Sequence, residues 1–137
     1  MRELRRLIWN WSKDDTMIAP ETALAMARDW IDAWNVHDLD AVMAHYADEL
    51  EFVSPLVARR LNRPDGTIRT KRELRDYFSQ SLGPDSVLWF ELQTVLVGVT
   101  SFTTCYTNHR GQSVAEMVFP DAQGLIRRAY IRHAAAA

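Results

Sequence analysis

The sequence predicts an α+β fold, a curved antiparallel sheet wrapped around N-terminal helices with an apolar pocket at its open end. Three observations carry that reading. Apolar residues recur at helical spacing from Leu24 to Leu82. From Ser86 onward the period changes to stretches rich in β-branched and aromatic residues, separated by turn residues. Within the first of these regimes lies Ala33–Pro55, AWNVHDLDAVMAHYADELEFVSP, which reads as a helix end, a cap, a second helix, a turn and a first strand. A chain of 137 residues with apolar residues at 47% is enough for one domain with its own core.

Taken in order, residues 2–11 place Leu4, Leu7, Ile8 and Trp11 on one helical stripe, and Lys13–Ala19 reads as a linker. Residues 1–19 are therefore expected to be a helical extension and linker, 20–133 the domain, and 134–137 a tail. Arg2, Arg5 and Arg6 form a basic patch that reads as solvated surface. Glu3, Asp14 and Asp15 dilute it as a membrane-binding element. Pro20 suits the first turn of a helix and Glu21 its positive end. Leu24, Ala27, Ile31 and Trp34 continue that helix to about Asn35.

Asn35, His37 and Asp38 interrupt the pattern, and the Asp38 carboxylate can cap the next helix. Leu39, Val42, Met43 and Tyr46 recur at helical spacing. Phe52–Ser54 reads as a strand, since the residue before Pro55 is biased away from helix. Leu56–Arg60 is expected to extend that strand or continue it irregularly. Asn62, Pro64, Asp65 and Gly66 mark a turn, and Thr67–Arg69 a short returning strand. Thr70 and Glu73 have capping-box spacing before the stripe Leu74, Tyr77, Phe78 and Leu82, which Gly83 and Pro84 stop. Leu88–Val97, Ser101–Thr107, Gln112–Phe119 and Leu125–His133 then read as consecutive strands. Phe102, Thr104 and Tyr106 share one face of their strand.

The Ala33–Pro55 pattern resembles the helix–helix–strand opening of the NTF2-like superfamily, which includes SnoaL-like polyketide cyclases and ketosteroid isomerases. Gly111, Glu116, Met117, Phe119, Gly124, Ile126 and Tyr130 resemble its closing strands. The resemblance spans roughly residues 20–133. It implies an NTF2-like cone, an apolar pocket, and a homodimer through the outer sheet face. Trp89, Cys105 and its neighbouring threonines are candidates for that face.

The resemblance also tests one chemistry. Ketosteroid isomerases carry a base aspartate just before the proline of this motif, where this chain has Ser54. Their helix-one tyrosine aligns with Trp30, and their second acid with Ala115. Steroid isomerisation by that mechanism is therefore not expected.

The pocket is expected to collect Trp30, Tyr46, Phe52, Ser54, Met117 and Phe119, with the hydroxyls of Tyr46 and Ser54 as its polar handles. No catalytic residue is assigned. Glu116 lies in an apolar strand, where burial would raise its pKa. The reading given to it is structural, a cross-strand pair with Arg128 or Arg132. His37, His45, His109 and His133 read as structural or solvated, although His133 can approach the pocket mouth. Arg59, Arg60 and Arg63 cluster near a turn, where solubility is the plain reading.

Other classes are set aside. Four histidines without HExxH spacing and a single cysteine give no metal site, no zinc knuckle and no intramolecular disulfide. No glycine-rich phosphate loop or GxSxG elbow is present, so no cofactor is expected. A net charge of -2 gives no general attraction to nucleic acid. No apolar run reaches membrane-spanning length or forms a signal core, so a cytoplasmic protein without membrane association is expected. Two functions fit. One is a SnoaL-like enzyme that binds a small apolar or cyclic compound and transforms it by proton transfer (isomerisation, cyclisation or dehydration). The other is a non-catalytic, homodimeric small-ligand-binding protein. Macromolecular transport has little support.

Overall fold

The computed structural model describes residues 18–135. The expected helix over residues 2–11 lies outside them. Four helices and six strands follow in the order α1 (Pro20–Asn35), α2 (Leu39–Met43), β1 (Tyr46–Val53), α3 (Pro55–Arg60), β2 (Thr67–Thr70), α4 (Lys71–Ser79), β3 (Glu91–Val97), β4 (Phe102–Thr107), β5 (Ser113–Pro120) and β6 (Ile126–His133). The strands form one open, curved sheet in the order β2-β1-β6-β5-β4-β3. The architecture is the expected α+β one, with one refinement. β1 pairs with β6 in parallel, so the sheet is mixed.

Helix α1 starts with Pro20 at its first turn and buries Ala23, Ala27, Trp30, Ile31 and Trp34. The two alanines allow close approach to the sheet, and the tryptophans fill the space further along. Asp38 caps α2 by accepting from the Ala41 amide at 3.1 Å. His37 sits between the two helices at φ 58°, and its ring Nε2 is 2.7 Å from the Leu88 carbonyl. Asn35 brackets Phe90, donating to its carbonyl and accepting from its amide, each at 2.8 Å. These two residues at the end of α1 fix the segment Leu88–Phe90 that enters β3.

Two local expectations are corrected. Tyr46 opens β1 rather than closing a helix, because α2 ends at Met43. The Ile126 amide donates to the His45 carbonyl at 2.7 Å and draws the chain into the sheet. Leu56–Arg60 is helical rather than extended. Ser54 caps that helix, accepting from the Leu56 amide at 3.2 Å, and Pro55 occupies its first turn. Thr70 caps α4, accepting from the Glu73 amide at 3.2 Å. The Glu73 carboxylate does not complete the reciprocal box. It takes a two-point bond from Arg63, which also donates to the Thr67 carbonyl at 3.2 Å. That guanidinium holds the Glu73 carboxyl below its ordinary pKa.

The strand register fixes the two sheet faces. Glu116 stands opposite Thr104 on β4 and Ile131 on β6. Val114, Glu116 and Val118 are all buried on the concave face. Met117 stands opposite Thr103 and Tyr130 on the convex face, and Cys105 and Ala115 are paired there too.

Candidate functional site

The cavity opens between α3, α4, the Leu88–Phe90 segment and the concave ends of β4, β5 and β6. Its volume is about 480 Å³, within the usual range for small-molecule sites. Trp34, Phe52, Phe78, Leu88 and Phe90 supply apolar wall. The wall is made rigid by aromatic contacts: Trp34 meets Phe78 edge-on at 4.8 Å between centroids, and Phe90 lies 4.6 Å from Tyr106.

Glu116 is the one carboxylate among the residues lining this cavity. Its residue is 6% exposed, and burial pushes its pKa up to about 7 against the opposing pull of Tyr106. The Tyr106 hydroxyl donates to Glu116 Oε1 at 2.8 Å. Burial and the nearby Glu116 charge raise the pKa of Tyr106 well above its ordinary value. The phenol therefore stays a neutral donor. Tyr46 is raised for the same two reasons.

His133 stands opposite Val114 and is diagonal to Glu116 on the neighbouring strand, ~7–8 Å away by sheet geometry. Its Nε2 is buried without a hydrogen-bond partner, and so is the indole N–H of Trp34. Both residues line the cavity. Buried polar groups are normally paired, and both of these unpaired atoms belong to residues that line the cavity with Glu116. Burial, then the charge of Arg59, lowers the His133 pKa and keeps the imidazole neutral. Among the described residues no group of three or more His, Cys, Asp and Glu can hold a metal ion.

The six residues expected in the pocket are distributed over three places. Phe52 and Ser54 line the cavity. Trp30 and Tyr46 lie in the packed layer behind it, where the Trp30 indole donates to the Tyr46 hydroxyl at 3.0 Å. Met117 and Phe119 do not share the cavity. They lie on the convex face, where Phe119 packs edge-on against Tyr130 at 5.6 Å. Glu116 is corrected in the opposite sense. Arg128 and Arg132 lie on the convex face, out of its reach, and its partner is Tyr106. Ala115, aligned above with an isomerase acid, also faces outward, so the inward acid of this strand is Glu116.

The fold is α+β, with a cavity on the concave side of the sheet and a buried acid in its wall. The chain belongs to the SnoaL-like domain family, whose model matches residues 27–124. It is similar to a SnoaL-like protein of unknown function from Burkholderia thailandensis at 34% identity and a TM-score of 0.78, over 82% of this chain and 95% of that one. At the level of the fold it is similar to an NTF2-like protein from Cytophaga hutchinsonii, with 10% identity and a TM-score of 0.63 over 88% and 95% of the two chains. A candidate ketosteroid isomerase from Kribbella flavida has 18% identity and a TM-score of 0.62 over 86% and 82%. A search of curated proteins finds no match. Among the described residues, no helix is long and apolar enough to cross a membrane.

Proposed function

We propose that this protein binds a small, largely apolar or cyclic compound in the concave cavity and moves a proton on it, with Glu116 as general base. The carrying observation is a buried carboxylate in the cavity wall with a pKa near 7. A base poised near neutral pH combines a useful ionised fraction with useful basicity. The Glu116 carboxylate would take a proton from a carbon acid and become the neutral acid that returns it elsewhere. Tyr106 orients the carboxyl, while the Trp34 N–H and His133 Nε2 offer hydrogen bonds to ligand oxygens. The product class is that of isomerisation, cyclisation or dehydration. The cytoplasm is the compartment that goes with this reading.

Deuterium exchange from solvent into enolisable cyclic ketones, 2-tetralone first, tests it. The wild type should accelerate exchange, and Glu116→Gln should lose on the order of 10²–10⁴ of that acceleration while still binding the ketone. Equal acceleration by both proteins, or none by the wild type across the ketones, rejects the proton-transfer reading.

A non-catalytic ligand carrier is the second reading. Ser54 and Trp30, where isomerases have a base and an oxyanion donor, favour it. A homodimer through the convex face accompanies either reading, supported by the partly buried Met117, Phe119 and Tyr130 there and by Leu96 at 58% exposed. Met117→Asp should convert a dimer to monomer in sedimentation velocity. A wild type that sediments as a monomer removes the dimer.

A further inference from the structure

We infer that the ligand of this cavity carries an anionic oxygen group, a carboxylate or phosphate, held at the mouth by Arg59, Arg60 and Arg110. The inference deepens the proposed function, because it names the substrate class of the same cavity. The chain as a whole has a net charge of -2, yet the cavity lining holds three arginines against the single acid Glu116. The charges are sorted within the cavity. Glu116 is buried in its wall, whereas all three arginines are exposed.

Among the described residues these arginines form no ion pair. The ion pairs found among the described residues belong to Arg63, Arg69 and Arg75. Arg63, their neighbour in sequence, is held by Glu73 and serves the fold. Arg60 is held 6.0 Å over the ring of Tyr77, another lining residue, so it is positioned without being neutralised. Arg59 acts electrostatically on His133.

A solvated cationic surface is the competing explanation. Arg59 and Arg60 do lie in the last turn of α3, where cations complement the helix dipole. That account does not reach Arg110, which comes from the turn between β4 and β5. That turn has a defined backbone: Asn108 Oδ1 accepts from the amides of Arg110 and Gln112, each at 3.0 Å, and Gly111 takes φ 76°. Two unrelated segments thus bring guanidinium groups to one opening. Guanidinium binds carboxylate and phosphate oxygens in a two-point fork. An apolar body would enter toward Trp34, Phe78 and Phe90 with its anion left at the rim, away from Glu116.

The test is calorimetric binding of 2-naphthoate, 2-naphthyl phosphate and the neutral 2-naphthalenemethanol. At least one acid should bind the wild type on the order of tenfold or more tightly than the neutral compound, and added salt should reduce the preference. The comparison of the two acids decides between carboxylate and phosphate. Arg59→Gln, Arg60→Gln and Arg110→Gln should each weaken the preferred acid by up to about tenfold and leave the alcohol unchanged. Arg72→Gln, outside the cavity lining, should alter neither. Equal affinity for acid and alcohol, insensitivity to the three substitutions, or no binding of either acid overturns the inference. Glu116→Gln should keep the acid preference even as ketone exchange is lost. Acid preference without exchange therefore rejects proton transfer alone, and exchange without acid preference rejects the anionic ligand alone.

Discussion

Tyr106 and Glu116 stand diagonally across β4 and β5, and the tyrosine hydroxyl lies 2.8 Å from the carboxylate oxygen it serves. A buried acid with one neutral donor is neither fully stabilised as an anion nor forced to remain protonated. Its midpoint near neutrality follows from that half-measure.

Stability should therefore fall as pH rises. Glu116 is raised from 4.5 to about 7 in the folded state. Below 4.5 both folded and unfolded chains hold the proton, and Glu116 imposes no penalty. Between the two values the unfolded chain releases a proton that the folded chain keeps, so stability declines. Above about 7 the loss is complete, on the order of 3 kcal/mol. Glu116→Gln removes this slope. Urea unfolding from about pH 5 to about pH 8 should show the mutant gaining on the wild type at the alkaline end. Parallel pH profiles would contradict it.

Tyr106→Phe should move the Glu116 midpoint upward. The lost hydrogen bond favours the ionised carboxylate, so its removal leaves desolvation unopposed. Carbon-detected NMR of the side-chain carboxyls reads the shift directly. The exchange rate of a bound ketone should acquire the same later rise with pH. At alkaline pH the variant should lose on the order of 1–3 kcal/mol of stability, because a buried anion is left without its donor.

Gly66→Ala should disturb Ser54, and with it one edge of the cavity wall. Gly66 has φ +61°, and a Cβ there would sit 2.8 Å from the Ser54 carbonyl oxygen. The same glycine accepts from the Ser54 amide at 2.9 Å. Strain and displacement together should cost roughly 1–3 kcal/mol in urea unfolding. A neutral substitution would show that this turn yields freely.

Local chemistry made much of the fold legible. Asp38 and Thr70 cap helices by bonds to amides three residues ahead, an interaction contained in the sequence spacing. Tyr46 was not legible in this way. It fits the helical stripe of Val42 and Met43, and only its long-range pairing with Ile126 assigns it to a strand. The site was divided in the same manner. Strand alternation separates Glu116 from Met117 and Phe119, but both groups of side chains can face a core. Met117 and Phe119 look like core residues when read alone. The available signal was the neighbouring strand: Arg128 and Arg132 mark its outer face, and Glu116 pairs across to buried Ile131. That signal needs register, which residue types alone do not supply. The arginines of α3 were visible as a cluster, but the separation of Arg63 from Arg59 and Arg60 required the Glu73 contact.

The parallel contact of β1 with β6 carries a kinetic consequence. Glu51 meets Arg128, and Phe52 meets Ala129, across most of the chain. The strand that follows the first helices thus has one permanent neighbour near the opposite end of the sequence. β2 can form with β1 early, but the join to the rest of the sheet must wait for β6. Such long loop closure slows folding and leaves the β1 edge transiently open to other chains. Ile131 of β6 also walls the cavity beside Glu116. Stopped-flow refolding should therefore show tyrosine and tryptophan signals of the site arriving with the final, slow phase. Loosening β6 by Ala129→Gly should retard that phase if the join is made in its transition state.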